Sequence, residues 1–443
     1  MSKSDRIQPR TLKGFRDYPP EAMLPRERLI DTARRVYRSF GYAPIDTPAL
    51  EYLEILTGKG SDETDKQLYR FQDHGGRDVG LRFDLTVPLA RFAAQHAQQL
   101  GLPFKRYHIA PVWRGENTQR GRYREFLQCD FDTIGATGVA SDIETVLVVH
   151  DLMRAIGIER FSIRLNHRGV LNGLLEKAGL LEQSTAVLRA LDKLAKAGEE
   201  KVRAELQASA GAGSDQADAL LAMAKLKGSN DSVLAEIESL VDGNETGAAA
   251  VGRLRNTLAG LEAAGVREGA VRLDPSIARG LDYYTGLVLE TFLDDLPAIG
   301  SVASGGRYDN LAGLYTSQQL PGIGASLGLD RLLAAMEELG LAEQTKTPAD
   351  ALVVLFDAER LGDYLKLASS VRAAGVGVEL YPEPKKLAKQ LQYANKKGFR
   401  VALIAGTNEL EAGQCQVKNL ADGSSQTVAL ETVADEIKRV LAG

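Results

Sequence analysis

Residues 104–135, FKRYHIAPVWRGENTQRGRYREFLQCDFDTIG, carry charged and amide side chains at spacings suited to recognising a charged small molecule. The stretch reads as two strands joined by an arginine-rich loop. In the second strand Leu127, Cys129 and Phe131 face one way and Gln128, Asp130 and Asp132 the other, because successive side chains alternate across a strand. In the first, Arg106, His108 and Arg114 fall on one face, with Pro111 limiting its regularity. Arg120, Arg122 and Arg124 lie between the strands, opposed only by Glu116 and Glu125. Guanidinium groups take phosphate oxygens bidentately, whereas carboxylates and an amide can hold an ammonium or an imidazole N–H. The pattern suits a polyanion bound next to a small cationic ligand. A solvated hairpin laced with salt bridges is the other reading of the same residues.

Several elements are placed to support such a site. From Pro25 to Phe40 the apolar residues Leu29, Ile30, Ala33, Val36, Tyr37 and Phe40 recur at helical spacing, and Gly41 ends the pattern. YAPIDTPALE then reads as a strand. In LRFDLTVPLARFAAQH, residues 81–96, Asp84 and Thr86 precede an amphipathic helix with Pro88 as its expected second residue. A helix cap is the plain role for either residue. Residues 138–157 follow a helical pattern. From about Asn166 to Arg267 the composition turns rich in Ala, Leu, Glu, Lys and Gly, a helical segment with no catalytic constellation. The stretch VRLDPSIARGLDYYTGLVLETF, residues 271–292, reads as two strands flanking a turn that presents Arg279, Tyr283 and Tyr284. SGGRYDNL supplies Tyr308. PGIGASLGLDRLLAAM is a small-residue strand running into a helix with Arg331 in its first turn, where a helix N-terminus favours anions. Residues 337–349 read as a linker. ALVVLF, VGVELY and RVALIAG then alternate with helices, as in an α/β domain.

Composition narrows the choice. The length suits two or three domains. There are 54 basic and 59 acidic residues, a net charge of −5, so any contact with nucleic acid must come from local patches. One such patch is KKLAKQLQYANKKGFR, residues 385–400, with six basic residues and no acidic one. The two cysteines, Cys129 and Cys415, are far apart and suit a reducing cytosol. His74, His96, His108, His150 and His167 show no metal-ligand spacing. No apolar run approaches membrane-spanning length. The sequence contains no P-loop, and its glycines do not follow the dinucleotide-binding pattern.

HIAPVWRGENTQRGRYREFLQCDFDTIG, RGLDYYTG and PGIGASLGLDRLLAAM together resemble histidyl-tRNA synthetases of the class II aminoacyl-tRNA synthetase family. The first looks like the second class II motif and the last like the third. RGLDYYTG looks like the segment peculiar to the histidine enzymes. TLKGFRDYPP resembles the family's opening segment, and the helix and strand after it resemble the first class II motif, which forms the family's dimer interface. The resemblance extends over almost the whole chain. It implies an α+β catalytic domain with an antiparallel six-stranded sheet flanked by helices, a helical insertion and a C-terminal α/β anticodon-binding domain. The implied boundaries are 1–165 and 269–336 for the two halves of the core, 166–268 for the insertion, 337–349 for the linker and 350–443 for the anticodon-binding domain.

The resemblance also implies roles. Arg114 and Arg279 would be catalytic, converging on the α-phosphate of ATP. Arg114, Glu116, Arg122 and Arg331 would bind ATP. Histidine would be held by Asp84, Thr86, Arg114, Gln128, Asp132, Arg279, Tyr283, Tyr284 and Tyr308, with Asp132 and Tyr284 at the imidazole and Asp84, Thr86 and Gln128 at the α-amino end. Lys385, Lys386, Lys389, Lys396, Lys397 and Arg400 would face tRNA(His), with Gln119 and Arg120 as candidates for the acceptor stem. The expected enzyme is a cytoplasmic homodimer with no membrane contact that uses ATP and Mg²⁺. The alternative is a regulatory paralogue of this fold that serves ATP phosphoribosyltransferase and binds histidine without charging tRNA. Such paralogues typically lack the C-terminal domain and an intact RGLDYY segment, and both are present here. RGLDYYTG also argues against a synthetase for another amino acid, such as proline or glycine.

Overall fold

The computed structural model describes residues 7–57, 62–277, 283–342 and 346–442. Strands of the first part of the chain are β1 (Ala43–Pro44), β2 (Leu50–Tyr52), β3 (Arg70–Gln72), β4 (Asp78–Leu81), β5 (Phe104–Trp113), β6 (Glu125–Ile134), β7 (Phe161–His167) and β8 (Val271–Leu273). They continue with β9 (Leu287–Leu293), β10 (Ala303–Arg307) and β11 (Gly322–Gly328). The remaining strands are β12 (Ala351–Val353), β13 (Val378–Leu380), β14 (Val401–Ile404), β15 (Gln414–Asn419) and β16 (Ser425–Ala429). Two compact units result: Met1–Arg16 with Leu29–Ala342, and Asp17–Arg28 with Glu343–Gly443.

In the first unit, β5 and β6 form the hairpin read from the sequence, paired antiparallel from Phe104 opposite Ile134 to Trp113 opposite Glu125. The ladder passes through Pro111, whose carbonyl accepts Arg82 Nε at 3.0 Å. The full sheet order is β1-β5-β6-β11-β10-β9-β7-β8. Its six inner strands are antiparallel, as expected. The edge strands β1 and β8 pair in parallel and make the sheet mixed. One face is apolar: Cys129 and Phe131 pack with Tyr37 and Val149 from the helices Pro20–Ser39 and Val139–Ala155. The Tyr37 hydroxyl donates to the Cys129 carbonyl at 2.9 Å. The other face carries Gln128, Asp130 and Asp132.

Three local expectations change. The first long helix begins at Pro20 rather than Pro25, because Pro20 takes the first-turn position that proline favours. YAPIDTPALE splits into β1 and β2, which join different sheets; Pro44 and Pro48 have no N–H to sustain one ladder. The strands on either side of RGLDYYTG are not neighbours, since β7 lies between β8 and β9. Helices from Arg168–Ala178 to Glu245–Ala263 fill the segment between β7 and β8. The last of them is tied back by Arg253, which donates to Asp142 and, at 2.8 Å, to the Thr137 carbonyl.

The second unit has a sheet of order β13-β12-β14-β15-β16, parallel across β13, β12 and β14 and antiparallel beyond. The helix Leu387–Lys397 is anchored by buried Gln390, which donates to the carbonyls of Leu355 and Lys385 and accepts from Leu355 N.

Candidate active site

Strand pairing lays side chains out in rows on the polar face of the large sheet. Asp130, Ser326, Ser304 and Glu290 stand opposite one another across β6, β11, β10 and β9. The next row is Asp132, Gly324, Gly306 and Val288. Glycine there is a steric requirement: a Cβ on Gly324 would run into Asp132 Oδ1 and the Phe131 carbonyl, and one on Gly306 would sit 2.9 Å from the Tyr284 ring. The missing side chains leave room for the Asp132 carboxylate and the Tyr284 ring to lie against the sheet.

The cleft has two connected parts. A cavity of about 300 Å³ is lined by Asp84, Thr86, Asp130, Asp132, Tyr283, Tyr284 and Tyr308. A second, of about 190 Å³, is lined by Glu116, Phe126, Val302, Gly328 and Asp330. Arg114, Arg122, Gln128, Ser301, Ser304, Ser326 and Arg331 border both. The three tyrosines, Asp84, Asp130 and Asp132 therefore belong to the larger part alone, and the guanidinium groups of Arg114, Arg122 and Arg331 stand where the two parts meet.

Each end is held by identifiable bonds. Asp84 Oδ1 accepts from Thr86 N at 3.1 Å and Val87 N at 2.9 Å, capping the helix Thr86–His96, in which Pro88 is the third residue. The same carboxylate faces the cavity, so the capping role and a ligand role are compatible. Asp132 accepts from the Tyr308 hydroxyl and is ion-paired to fully buried Arg106 at 2.6 Å. Tyr283 packs edge-on against Tyr284 and Tyr308, with ring centroids 5.2 and 5.9 Å apart. Where the two parts meet, Arg114 donates through Nε to the Phe83 carbonyl at 3.1 Å, and its guanidinium lies 4.3 Å from the Phe83 ring centroid and 5.0 Å from that of Phe126. Arg331, on the helix Leu329–Glu338, donates to the Ser301 carbonyl at 2.6 Å. Arg122 lies 3.7 Å from Glu116. Asp330 receives Arg16 at 2.8 Å and Leu127 N at 3.1 Å, fastening the chain's N-terminal stretch and β6 to this helix.

Burial dominates the electrostatics. It raises the carboxyls of Asp84 and Asp132 above the usual range, with nearby arginines opposing it. It pushes Asp130 up to about 7, against Arg106 and reinforced by Asp132. It also lowers Arg114, and Arg331 further feels the like charge of Arg122. Cations that are desolvated and crowded together favour an anion among them.

A family model described as histidyl-tRNA synthetase matches residues 14–332, and one described as anticodon binding domain matches residues 350–440. This chain belongs to the histidyl-tRNA synthetase family. A histidine--tRNA ligase from Rhodopirellula baltica is 64% identical over 423 residues, 96% of each chain. Another, from Wolinella succinogenes, is 46% identical over 98% of this chain and 99% of its own. The crystal structure of histidyl-tRNA synthetase from Nostoc sp. PCC 7120 superposes with a TM-score of 0.89 at 35% identity, covering 98% of this chain and all of that one. An ATP phosphoribosyltransferase regulatory subunit/histidyl-tRNA synthetase from Bacillus halodurans shares the fold at 24% identity, with a TM-score of 0.74, and covers 88% of this chain. Class II architecture with an anticodon-binding domain is thus established for the chain, and relatives of ligase name match it over nearly its full length.

The residues expected from the sequence fall as follows. Asp84, Thr86, Arg114, Gln128, Asp132, Tyr283, Tyr284 and Tyr308 all line the larger cavity. Arg114, Glu116, Arg122 and Arg331 line the smaller one. Arg279 lies outside the described residues. Arg120 pairs at the surface with Glu338 at 2.8 Å, and Gln119 and Arg122 bridge each other's backbone. In the second unit Lys385, Lys386, Lys389, Lys396, Lys397 and Arg400 are all exposed. Lys385 meets Glu383 at 3.1 Å, and Arg400 donates to the Leu441 carbonyl at 2.8 Å. Ser301, Ser304, Ser326 and Glu290 also line the cleft; single serines and a lone strand glutamate carry no motif, and only the pairing register reveals them.

The glycine requirement yields a direct expectation. Gly324→Ala should cost about 1–3 kcal/mol through overpacking and should impair histidine use more than ATP use, because the added methyl displaces Asp132. Apparent KM values for the two substrates, with a thermal melt of the same protein, check this. Equal losses for both substrates would detach Gly324 from the histidine end.

Proposed function

We propose that this chain is a histidine--tRNA ligase that activates L-histidine with ATP and transfers it to the 3′ end of tRNA(His), releasing AMP and pyrophosphate. The observation that carries this reading is one cleft whose larger part is walled by Asp84, Asp130, Asp132 and three tyrosines and whose junction with the smaller part is lined by Arg114, Arg122 and Arg331. The arrangement suits an amino acid bearing an ammonium and an imidazole, with its carboxylate directed toward a triphosphate held by the arginines.

In the first step a histidine carboxylate oxygen bonds to the α-phosphorus as the bond to pyrophosphate breaks, and the electron pair leaves with pyrophosphate. The nucleophile is already an anion, so the protein has to supply positioning and charge neutralisation rather than a base. Arg114, at the junction of the two cavities, and Arg279 would take the α-phosphate. Arg122 and Arg331 would hold the outer phosphates, with Glu116 orienting Arg122. Asp84, Thr86 and Gln128 would receive the α-ammonium, and Asp132, Tyr283, Tyr284 and Tyr308 would wall the imidazole. In the second step a ribose hydroxyl of the terminal adenosine attacks the adenylate carbonyl and AMP departs.

Mg²⁺ enters with ATP as its phosphate-bound ion, since this metal is commonly held by substrate phosphates and one or two carboxylates. Among the described residues no group of three His, Cys, Asp or Glu side chains is arranged as a resident metal site. Two copies pair in our reading; exposed Leu50 and Tyr52 on β2 and Phe71 on β3 support this, as apolar surface of this kind marks interfaces. Two free, buried cysteines suit a cytoplasmic setting.

ATP–pyrophosphate exchange across a panel of amino acids tests the assignment. Histidine should stand above all others by about 10⁴-fold, since buried polar groups left unpaired by the wrong side chain penalise it heavily. Exchange driven equally by another amino acid, or by none, would overturn it.

A further inference from the structure

The arginine-rich turn from Arg114 to Arg124 lies beyond the ladder of β5 and β6. Its base is closed by Arg114 N, which donates to the Arg124 carbonyl at 2.9 Å, and its tip by the paired backbones of Gln119 and Arg122. Gly121 at the tip rests on the helix Leu329–Glu338, so closely that a Cβ there would stand 3.2 Å from Arg331 Cα. This contact brings two cations together: burial lowers Arg331, and the like charge of Arg122 lowers it further. Like charges crowded in this way push the turn off the helix. A restraint is needed to keep it there.

The N-terminal stretch supplies one. Arg124 N donates to the Gly14 carbonyl at 2.9 Å, and Arg124 Nη1 to the Lys13 carbonyl at 3.4 Å. Gly14 has a φ of +88°, and a Cβ there would stand 2.7 Å from the Arg124 side chain, so the close passage calls for glycine. Two residues on, the Arg16 guanidinium lies 4.0 Å from the Tyr123 ring centroid and donates through Nη1 to the Tyr123 hydroxyl at 2.9 Å. Its Nη2 donates to Asp330 at 2.8 Å. Asp330 is buried, precedes Arg331 in the helix and also takes Leu127 N of β6 at 3.1 Å. One side chain thus ties the turn to the helix and the strand.

We propose that Arg16 is a positioning residue for ATP, holding Arg122 and Arg331 in place for one triphosphate before it arrives. This rests on the reading of the arginine-lined part of the cleft as the ATP site. Arg16 is not among the residues that line either part, so it acts through Tyr123 and Asp330 and not on the substrate. A planar guanidinium serves both contacts at once, since its face lies on the ring while its edge donates to a hydroxyl and a carboxylate. Without it, ATP itself has to draw the turn onto the helix, and part of its affinity is lost to that ordering.

The test compares wild type, Arg16→Ala and Arg16→Lys in ATP–pyrophosphate exchange. Alanine should raise the KM for ATP about 10-fold and lysine about 3-fold, because an ammonium keeps the pair with Asp330 but not the planar contact. The KM for histidine should stay within about two-fold, and kcat at saturating ATP within about three-fold, in both variants. Limited trypsin digestion without nucleotide adds a readout independent of catalysis. Cleavage after Arg120 and Arg122, read by mass spectrometry, should be about 10-fold faster in Arg16→Ala than in wild type, as expected of a segment that opens locally. Saturating ATP with Mg²⁺ should return it to the wild-type rate. Tyr123→Phe removes only the hydroxyl and carries the comparison, with smaller changes in the same direction, should Arg16→Ala not fold. An unchanged KM for ATP with unchanged cleavage, or equal rises in KM for both substrates, would overturn the inference while normal wild-type exchange left the ligase assignment standing. Absence of histidine-dependent exchange in wild type would remove that assignment and the inference with it.

Discussion

Replacing Arg114 with alanine is expected to lower the rate of histidine-dependent ATP–pyrophosphate exchange by about 10²–10³-fold, with much smaller changes in the KM of either substrate. The guanidinium is held from behind by the Phe83 carbonyl and lies against the Phe83 and Phe126 rings, so its remaining N–H groups are left to the junction of the two cavities. Among the described residues no carboxylate forms a salt bridge with it. Its charge is desolvated and fixed before substrate arrives, the condition under which a donor contributes most to a developing phosphorane, about 3–4 kcal/mol. Lysine at this position keeps the charge but loses the planar fork, and should recover only part of the rate. Exchange within a few-fold of wild type in Arg114→Ala, measured on protein with an unchanged thermal melt, would remove Arg114 from the transition state.

The second large effect should separate the two chemical steps. Changing Lys386, Lys389, Lys396 and Lys397 together to alanine should lower the efficiency of tRNA(His) charging by about 10²-fold and leave exchange unaltered. These four are exposed on or beside one helix of the second unit, and that helix is pinned by the buried Gln390, so the substitutions remove charge without removing packing. Lys385 and Arg400 are left in place because each already has a partner on the protein. Each lost phosphate contact should also reduce the log–log salt slope of tRNA binding by about 0.7–0.9. Point changes serve better than removing the unit, since Asp17–Arg28 cluster with it and would be stripped of their packing. An unchanged salt slope, or exchange and charging falling in step, would count against RNA contact here.

Much of this site was legible in the amino-acid sequence because β6 is a long strand with one apolar and one polar face. Period-two alternation alone separates Cys129 and Phe131 from Gln128, Asp130 and Asp132, and the structure buries the first pair in the core and lines the cavity with the others. The family resemblance then supplied roles for residues whose local chemistry is ambiguous. Asp84 illustrates the limit, since a capping carboxylate and a ligand-facing carboxylate look the same in sequence and here are one residue. What was not legible was register and topology. Ser304, Ser326 and Glu290 join Asp130 only through the pairing of four strands that are scattered between Glu125 at the start of β6 and Gly328 at the end of β11. The placement of β7 between β8 and β9 is likewise set by long-range pairing, and no local pattern encodes it. The start of the first helix was misplaced for a smaller reason: two prolines five positions apart both suit a first turn, and the earlier one takes it.

The central claim is that one chain performs both activation and transfer. Wild-type protein incubated with labelled histidine, ATP, Mg²⁺ and a tRNA(His) transcript should yield histidyl-tRNA, with one AMP and one pyrophosphate released per histidine attached, and little product with a non-cognate tRNA. Tight histidine binding without any charging of tRNA(His), the behaviour of a regulatory paralogue, would contradict the account.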